Sequence, residues 1–419
     1  VDEFVAEFEP IRVVGATLLL QTDLDAPLGR VVGVDLDRAA TADVEFTEVI
    51  AESDTTLVGV TPAGETLLVA RLADAQPTVS VHSLTGGQLG DLDLPPGALV
   101  GLDGSPRSSV ATVGISTLDA PTAAFAVDVE AGRDLRPLAL AEPAERVAPP
   151  YTIERAHAVS RDGTQVPYFL VRPHVGDSGD PGERPTLLYG YGGFKAPVLA
   201  DYRPGWSAWL AAGGVLVLAN LRGGGEYGTA WHDAGRLGAK QNVFDDAIAV
   251  AEHLIATGVT SASALAVHGR SNGGLLVGGV MTQRPDLFAC ALPTVGVLDM
   301  LRFHRFTIGA AWMSDYGNPD DAADAETLLA YSPLHRVREG VRYPATLVCT
   351  ADHDDRVVPL HSFKFAAALQ HAQGGTAPIL LRVETAAGHG AGKSQQMIAA
   401  EWADVLAFAA HHTGLRTPA

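Results

Sequence analysis

A serine flanked by glycines is the residue of this sequence best suited to nucleophilic attack. The run GRSNG (269–273) has the form G-x-S-x-G, in which small residues permit a sharp turn that leaves the oxygen of Ser271 exposed. The pattern alone is weak, because glycine and serine are common. Its position between an apolar strand-like run (264–268) and a small-residue helical run (272–283) indicates a nucleophile rather than an ordinary loop serine.

A histidine and a carboxylate that could activate this serine follow it in the chain. A serine hydroxyl attacks when a base takes its proton, and the imidazolium so formed needs a carboxylate to orient it. We predict that His389 is the base, because glycines flank it on a loop after a predicted strand, and that His353 is structural. Spacing does not separate three candidate carboxylates: Asp352, Asp354 and Asp355. The order serine, aspartate, histidine is that of the α/β-hydrolase fold.

Donors for an oxyanion are predicted on two loops. The backbone N–H of Asn272 directly follows the serine, where this kind of turn places one donor. A second donor should come from the loop after an earlier strand. The run LYGYGGF (188–194) is such a loop, and the phenol of Tyr191 either donates there or packs.

The second part of the chain alternates predicted strands and helices. Apolar runs predict strands at 185–189, 214–220, 264–268, 289–293, 345–350 and 378–384. Helical patterns lie at about 242–257, 272–283, 361–372 and 394–411. This alternation predicts an α/β fold with a doubly wound, mostly parallel sheet, whose chemistry gathers at the carboxyl ends of the strands.

The first 150 residues have a different composition and predict an all-β domain. They contain no lysine and carry 24 acidic residues against 8 arginines. Short apolar runs are separated by turn residues, and a loose repeat of about 45 residues begins at three Asp-Ala segments: 25–27, 74–77 and 119–121. That period suits the four-stranded blade of a β-propeller, with a β-sandwich as the alternative.

Composition limits the classes of partner and the cellular compartment that we expect for this protein. The formal charge of −20 argues against nucleic acid or an anionic membrane surface as a partner. No apolar run reaches the roughly 18 residues that a membrane span needs. Cys290 and Cys349 cannot form a disulfide framework, which favours a reducing compartment and a cytoplasmic location, although an upstream targeting segment before Val1 stays open. We expect no cofactor, because no set of converging metal ligands is evident.

At this point the residues resemble the prolyl oligopeptidase family. The matching runs cover essentially all of 151–419 in the order of the family and include LLYGYGGF (187–194), NLRGGGEYG (220–228), GRSNGGLLVGG (269–279), YSPLHRV (331–337), TADHDDRVVPLHSFKF (350–365) and AGHGAGK (387–393). The resemblance implies Ser271 as nucleophile, His389 as base and Asp354 as the orienting carboxylate. It also implies an oxyanion hole made by the Tyr191 hydroxyl and the Asn272 amide.

The same resemblance implies a domain organisation. It divides the chain into a partial β-propeller at 1–150 and an α/β-hydrolase catalytic domain at 151–419. In this family a seven-bladed propeller caps the active site and admits only short peptides. The 150 residues here correspond to about the last three blades.

The resemblance further implies a peptidase that cleaves on the carboxyl side of proline in short peptides, acting as a monomer. Trp312 would stack on the proline ring, and Arg356 would hold a peptide carbonyl. Four more residues would line the proline pocket: Phe194, Val297, Tyr316 and Val357. A flat pocket with aromatic walls binds a rigid ring favourably. The alternative role for Trp312 is ordinary core packing. The alternative functions are a related serine peptidase or esterase of different specificity and an inactive fragment that serves as a propeller scaffold.

Overall fold

The computed structural model describes residues 6–39, 44–139, 150–174, 183–385, 387–390 and 392–416. The chain forms two compact units. The first unit comprises Val1–Arg146, Leu199–Tyr202 and Gly225–Trp231, and the second comprises Val147–Val198, Arg203–Gly224 and His232–Ala419. The predicted boundary between residues 150 and 151 adjoins the range 140–149, which lies outside the described residues, as do Val1, Ala386 and Ala391.

Three four-stranded antiparallel sheets make up the described part of the first unit. Their strands follow one another in chain order: β1 Phe8–Val14, β2 Thr17–Thr22, β3 Arg30–Asp35, β4 Phe46–Ile50, β5 Thr56–Ala63, β6 Thr66–Ala73, β7 Gln76–Ser83, β8 Gln88–Asp91, β9 Ala98–Ser105, β10 Ser108–Thr117, β11 Ala120–Asp128 and β12 Arg136–Pro137. Asp74 and Ala75 form the loop between β6 and β7 with φ values of 50° and 58°. Positive φ at both positions matches the twist of the strands that such a two-residue hairpin joins.

The middle sheet is buried on both of its faces. Leu67 and Val69 of β6 belong to a core shared with the first sheet, whereas Leu68 and Ala70 belong to a core shared with the third. Because side chains alternate across a strand, β6 presents apolar residues to both faces from Leu67 to Ala70, while the buried Thr66 and Arg71 of the same strand hydrogen-bond to backbone carbonyls. A sheet in a two-layer sandwich buries only one face, so the packing favours stacked blades.

An eight-stranded sheet forms the centre of the second unit. Its order is β13-β14-β16-β15-β17-β18-β19-β20, with antiparallel pairing at β13 and β14 and parallel pairing from β16 to β20. The strand bounds are β13 Tyr151–Val159, β14 Gln165–Pro173, β15 Thr186–Gly190, β16 Val215–Ala219, β17 Leu265–Arg270, β18 Cys290–Thr294, β19 Ala345–Ala351 and β20 Ile379–Glu384. The six predicted strands therefore occur within one or two residues of their expected ends. The hairpin β13–β14 was not predicted.

Helices cover this sheet in two sets. The α-helices of the described chain are α1 Leu36–Ala39, α2 Pro204–Ala211, α3 Gly228–Asp233, α4 Gln241–Ala256, α5 Asn272–Gln283, α6 Met313–Tyr316, α7 Ala322–Tyr331, α8 Pro333–Arg336, α9 Leu360–Ala372 and α10 Gln395–Thr413. Along β17, Leu265 and Val267 join the core that includes α4 and α5, while His268 meets Trp402 of α10 with 5.2 Å between ring centroids. Both faces of the strand are thus covered, which accounts for its buried character. No helix in the described ranges is long and apolar enough to cross a membrane.

Candidate active site

Ser271 lies at a sharp turn between β17 and α5. Its backbone has φ 57° and ψ −118°, a conformation that costs a non-glycine residue free energy. A Cβ on Gly269 would lie 2.3 Å from the carbonyl oxygen of Gly273, and one on Gly273 would lie 2.7 Å from that of Gly190. Both positions therefore require glycine, and the strand-to-helix elbow expected from the motif is present.

Asp354 and His389 form a hydrogen-bonded pair. The Asp354 carboxylate is buried, and its Oδ2 accepts a hydrogen bond from His389 Nδ1 at 2.7 Å. Its Oδ1 accepts from the backbone N–H groups of Arg356 and Val357 at 3.0 and 2.9 Å. Because a carboxylate can only accept, the proton lies on Nδ1, which leaves Nε2 free to take a proton from a nucleophile.

The other two candidate aspartates lie elsewhere. Asp352 Oδ1 is 2.6 Å from Nδ1 of His353, and Asp355 is exposed. The side chain of His353, which we expected to be structural, is 72% exposed and so lies at the surface instead. Of the three carboxylates that spacing left open, geometry brings Asp354 to His389.

Tyr191 lies beside the serine on the loop that follows β15. Its phenol and the Ser271 side chain form a hydrogen bond, and burial raises the pKa of Tyr191 to about 12. The phenol is therefore a neutral donor at physiological pH. The Asn272 side chain donates from Nδ2 to the carbonyl oxygen of Tyr191 at 2.5 Å, which fixes the backbone of this loop. The N–H of Asn272 belongs to the first turn of α5, where amides have no partner within the helix.

The residues expected at the proline pocket belong to one apolar cluster. Val297, Tyr316 and Val357 are buried in it, and Phe194 and Trp312 pack against it while remaining partly exposed. The rings of Phe194 and Tyr316 meet edge to face, with 5.3 Å between centroids. The Tyr316 hydroxyl donates to Asn272 Oδ1 at 2.9 Å, so the cluster is tied to the residue after the serine.

Phe303 and Arg356 complete the surroundings of this cluster. Phe303, which the sequence analysis missed, stacks on Trp312 at 6.4 Å and meets Tyr316 edge to face at 5.2 Å. It holds Trp312 from behind and is itself fully buried. Arg356 is exposed, and its positive charge opposes the rise in the pKa of Tyr191.

Arg270 connects the serine elbow to the histidine loop. Its guanidinium donates from Nη1 to Glu401 Oε1 at 2.5 Å and from Nη2 to the carbonyl oxygen of His389 at 2.8 Å. Lys393 forms an ion pair with Oε2 of the same Glu401. Burial opposes ionisation of Glu401, but the charges of Arg270 and Lys393 outweigh it and lower the pKa of that carboxyl. Arg270 occupies the first x position of the G-x-S-x-G pattern, and no local pattern points to its partner on α10.

Several other titratable groups of the unit cannot substitute for these residues. Burial lowers the pKa of His268 to about 3 and that of His361 to about 4, so both imidazoles are neutral at pH 7. Burial raises the pKa of Cys290 and Cys349 to about 12, so neither is a thiolate nucleophile. Within the described residues, no group of three or more potential ligand side chains is arranged to hold a metal ion.

Comparison with known proteins matches both units of the chain. The model of the prolyl oligopeptidase family matches residues 202–416, and the model of the prolyl oligopeptidase N-terminal beta-propeller domain matches residues 1–136. The chain is 40% identical over 405 residues to the prolyl endopeptidase of Elizabethkingia miricola, covering 96% of this chain and 56% of that protein. It is 37% identical over 401 residues to the prolyl endopeptidase of Dictyostelium discoideum, covering 92% and 52%. The chain thus spans just over half the length of these curated relatives.

Solved structures agree with these matches. A structure from a structural and mechanistic analysis of two prolyl endopeptidases has a TM-score of 0.92 at 40% identity, covering 99% of this chain and 61% of that chain. Prolyl oligopeptidase B from Galerina marginata, bound to a 25mer macrocyclization substrate, has a TM-score of 0.89 at 31% identity, covering 100% and 58%. The predicted fold class is confirmed as a β-propeller domain followed by an α/β-hydrolase domain, and the β-sandwich alternative is wrong. Two family models, a serine elbow on the expected strand and stacked propeller sheets lead to one conclusion: the chain belongs to the prolyl oligopeptidase family.

Proposed function

We propose that this protein is a serine peptidase that hydrolyses short peptides on the carboxyl side of proline. The observation that carries the proposal is the hydrogen-bonded pair of His389 and buried Asp354, in the unit whose elbow presents Ser271 beside the phenol of Tyr191. The relatives named prolyl endopeptidase support the same activity. In this proposal residues 1–150 belong to the propeller and residues 151–419 form the catalytic domain.

The reaction proceeds through an acyl-enzyme. Ser271 Oγ attacks the carbonyl carbon of proline itself while Nε2 of His389 takes the hydroxyl proton, and Asp354 stabilises the resulting imidazolium. The Tyr191 hydroxyl and the Asn272 N–H donate to the oxyanion. Collapse of the tetrahedral intermediate breaks the C–N bond, and His389 gives its proton to the leaving amine. Water then attacks the ester with His389 as base, which releases a peptide acid ending in proline and restores Ser271.

Specificity for proline rests on the apolar cluster beside the elbow. Trp312 and Phe194 offer aromatic faces to a pyrrolidine ring, and Val297, Val357 and Tyr316 form the wall behind them. The carboxylate of Asp315 next to this group is buried and paired with Lys240, so we expect it to be a poor counter-charge for a substrate with arginine at the cleavage position. Arg356 is exposed and is free to bind a peptide carbonyl oxygen.

Labelling with a fluorophosphonate probe tests the nucleophile without knowledge of the substrate. We expect covalent labelling of the wild-type chain and none of Ser271→Ala. The matched control is Ser263→Ala, which removes an exposed hydroxyl and should label at the wild-type rate. Equal labelling of wild type and Ser271→Ala would overturn the assignment of the nucleophile.

A panel of fluorogenic peptides tests the specificity. Substrates that end in Pro, Ala or Arg before the leaving group are compared at equal concentration, and the highest kcat/KM is expected for proline. A preference for arginine would show a peptidase of basic specificity, and turnover of simple esters alone would show an esterase.

We further propose that the protein acts as a monomer in a reducing compartment. Both cysteines are free and buried in strands of the sheet, which suits a protein that has no need of disulfides. Size-exclusion chromatography with light scattering tests the first part, and a mass of twice 43.7 kDa would contradict it.

A further inference from the structure

The loop that carries Tyr191 is held in an unfavourable backbone conformation. Gly192 has φ 63°, and the next two non-glycine residues, Phe194 and Lys195, have φ 55° and 52°. Consecutive L-residues in this region persist only where surrounding structure fixes them. The hydrogen bond from the N–H of Lys195 to the carbonyl oxygen of Gly223, at 3.1 Å, fixes one end of the segment.

A buried ion pair fixes the middle of the segment. Lys240 Nζ donates to the carbonyl oxygen of Gly192 at 2.9 Å and to Asp315 Oδ2 at 3.2 Å. Asp315 Oδ1 accepts from the backbone N–H of Phe194 at 3.1 Å and from His232 Nε2 at 2.8 Å. The two charged side chains are only 1% and 3% exposed. The pair therefore contacts the loop on both sides of Gly193.

The ion pair of Lys240 and Asp315 is also linked to the apolar cluster around Tyr316 and to the serine elbow. Tyr316 adjoins Asp315 in α6, and its ring lies 5.2 Å from Lys240 Nζ. The Tyr316 hydroxyl donates to Asn272, which in turn donates to the carbonyl oxygen of Tyr191. Lys240 therefore reaches the peptide units that follow Tyr191 by two routes: its own hydrogen bond to Gly192, and its contact with the Tyr316 ring, whose hydroxyl is hydrogen-bonded to Asn272.

We propose that Lys240 and Asp315 are positioning residues that hold the Tyr191 hydroxyl at the oxyanion and the Phe194 ring at the proline. This inference rests on the proposed function, because it assigns a role in the same reaction. Well-packed apolar residues stabilise a core at least as well as a buried ion pair does. Directional hydrogen bonds to Gly192 and Phe194 are what apolar residues could not supply. The ion pair thus fixes a geometry in which one loop serves both catalysis and recognition.

Hydrogen exchange of the loop tests the structural half of the proposal and needs no activity. In Lys240→Met and in Asp315→Leu, we expect the amides of residues 191–195 to exchange at least about tenfold faster than in wild type. The matched control is Lys364→Met, which removes a lysine paired with a buried aspartate, Asp299, on another part of the same unit. Unchanged exchange in both test variants would overturn the proposal.

A milder variant covers the case in which a charge deletion prevents folding. His232→Gln leaves the ion pair in place and changes one hydrogen-bond donor to Asp315. A rise of about threefold in exchange of the Phe194 amide is expected, with an unchanged melting temperature. The proposal fails if exchange of this amide stays at the wild-type rate.

Ligand binding tests the catalytic half. A peptide aldehyde ending in proline adds to Ser271 and forms an oxyanion, whereas the corresponding peptide acid does not. We expect Lys240→Met to weaken binding of the aldehyde at least about tenfold and binding of the acid less than about threefold. In turnover of a peptide substrate, the same variant should lower kcat and leave KM unchanged. Equal weakening of both ligands would indicate a general structural defect and would overturn the assigned role.

A double-mutant cycle with Tyr191→Phe shows whether the effect passes through the phenol. In the Tyr191→Phe background, Lys240→Met should weaken binding of the aldehyde by less than about threefold, because the hydroxyl that donates to the oxyanion is already absent. An undiminished effect would contradict positioning of Tyr191. If the wild-type chain fails to label with a fluorophosphonate, the proposed function fails, and the exchange experiment still decides whether Lys240 and Asp315 hold the loop.

Discussion

Tyr191 combines a partly buried ring with a hydroxyl that is hydrogen-bonded to the Ser271 side chain. Because burial raises the pKa of Tyr191 to about 12, the phenol stays protonated between pH 7 and about pH 10. We expect Tyr191→Phe to lower kcat by about 10²–10³-fold with little change in KM. Activity should not decline through ionisation of this phenol between pH 7 and 10. A pH profile of kcat for wild type and variant checks both statements, and a wild-type decline near pH 9 that the variant lacks would contradict the second.

Asp354 should be distinguishable from its neighbour by mutation. Asp354→Asn replaces an acceptor of the His389 Nδ1 proton with an amide that favours the wrong tautomer, so kcat should fall by about 10⁴-fold. Asp355→Asn is the matched control, because that side chain is exposed, and it should retain wild-type turnover. A similar loss of kcat in both variants would show that the substitutions act by disturbing the loop and not by removing the Asp354 carboxylate.

The residues proposed for catalysis could be selected from sequence to the extent that each has a local signature. Ser271 and His389 lie between glycines after apolar runs, so their loops were visible. Spacing did not separate Asp354 from its neighbours; the family resemblance indicated it, and the structure shows it hydrogen-bonded to His389. Arg270 was not recognised as a contact of the histidine loop, since its partner Glu401 lies 131 residues away and only tertiary packing brings the two together.

At the scale of elements, the turn from β17 to α5 leaves no room for a side chain at its two glycines, Gly269 and Gly273. Gly273→Ala would place a Cβ 2.7 Å from the carbonyl oxygen of Gly190, at the end of the strand that leads to Tyr191. A displacement there should lower the rate of fluorophosphonate labelling by about 10²-fold or more. Gly238→Ala is the control, because nothing lies within 4 Å of its added carbon. Labelling of Gly273→Ala at the control rate would contradict the steric argument.

Helix α10 contributes a carboxylate whose effect on stability depends on pH. Arg270 and Lys393 outweigh burial and hold the pKa of Glu401 below its usual value of about 4.5. A depressed folded-state pKa means that the stabilisation is present above about pH 4.5 and is lost as the pH falls through the folded value. Glu401→Gln should therefore lower the free energy of unfolding by about 2–4 kcal/mol at pH 7.

The difference between Glu401→Gln and wild type should narrow on acidification below about pH 4.5. Urea unfolding at several pH values measures it. Glu326→Gln, on an exposed position of α7, is the matched control and should change stability little at any pH. If the difference in unfolding free energy between wild type and Glu401→Gln grew as the pH fell, the pKa of Glu401 would be raised in the folded protein rather than lowered.

The elements themselves were predictable where burial is uniform. Strands β15 to β19 are almost continuously apolar because helices cover both faces, so their runs were evident from sequence. The hairpin of β13 and β14 was missed, since β13 is an edge strand with mixed burial and β14 contains a proline. Helix α2 begins at Pro204 and has few residues to show a periodicity.

At the scale of the whole molecule, net charge should affect the capture of substrate. A protein with a formal charge of −20 attracts cations over distances longer than a contact, and salt screens that attraction. Two Gly-Pro substrates are compared, one with an added lysine and one with an added glutamate. The value of kcat/KM for the lysine peptide should fall about threefold or more between 10 and 500 mM salt. The glutamate peptide should show the opposite trend. Parallel salt dependence of both peptides would contradict steering.

The contact between Arg270 and Glu401 also sets an order of events during synthesis. The serine elbow leaves the ribosome more than a hundred residues before the helix that braces the histidine loop, because Glu401 follows Arg270 by 131 positions. Until α10 folds against the sheet, Arg270 lacks its carboxylate partner, and the hydrogen bond from Arg270 to the backbone of His389 is held less firmly. Under the proposed function, Ser271 therefore gains its full set of activating contacts only after residue 401 has been synthesised and α10 has packed.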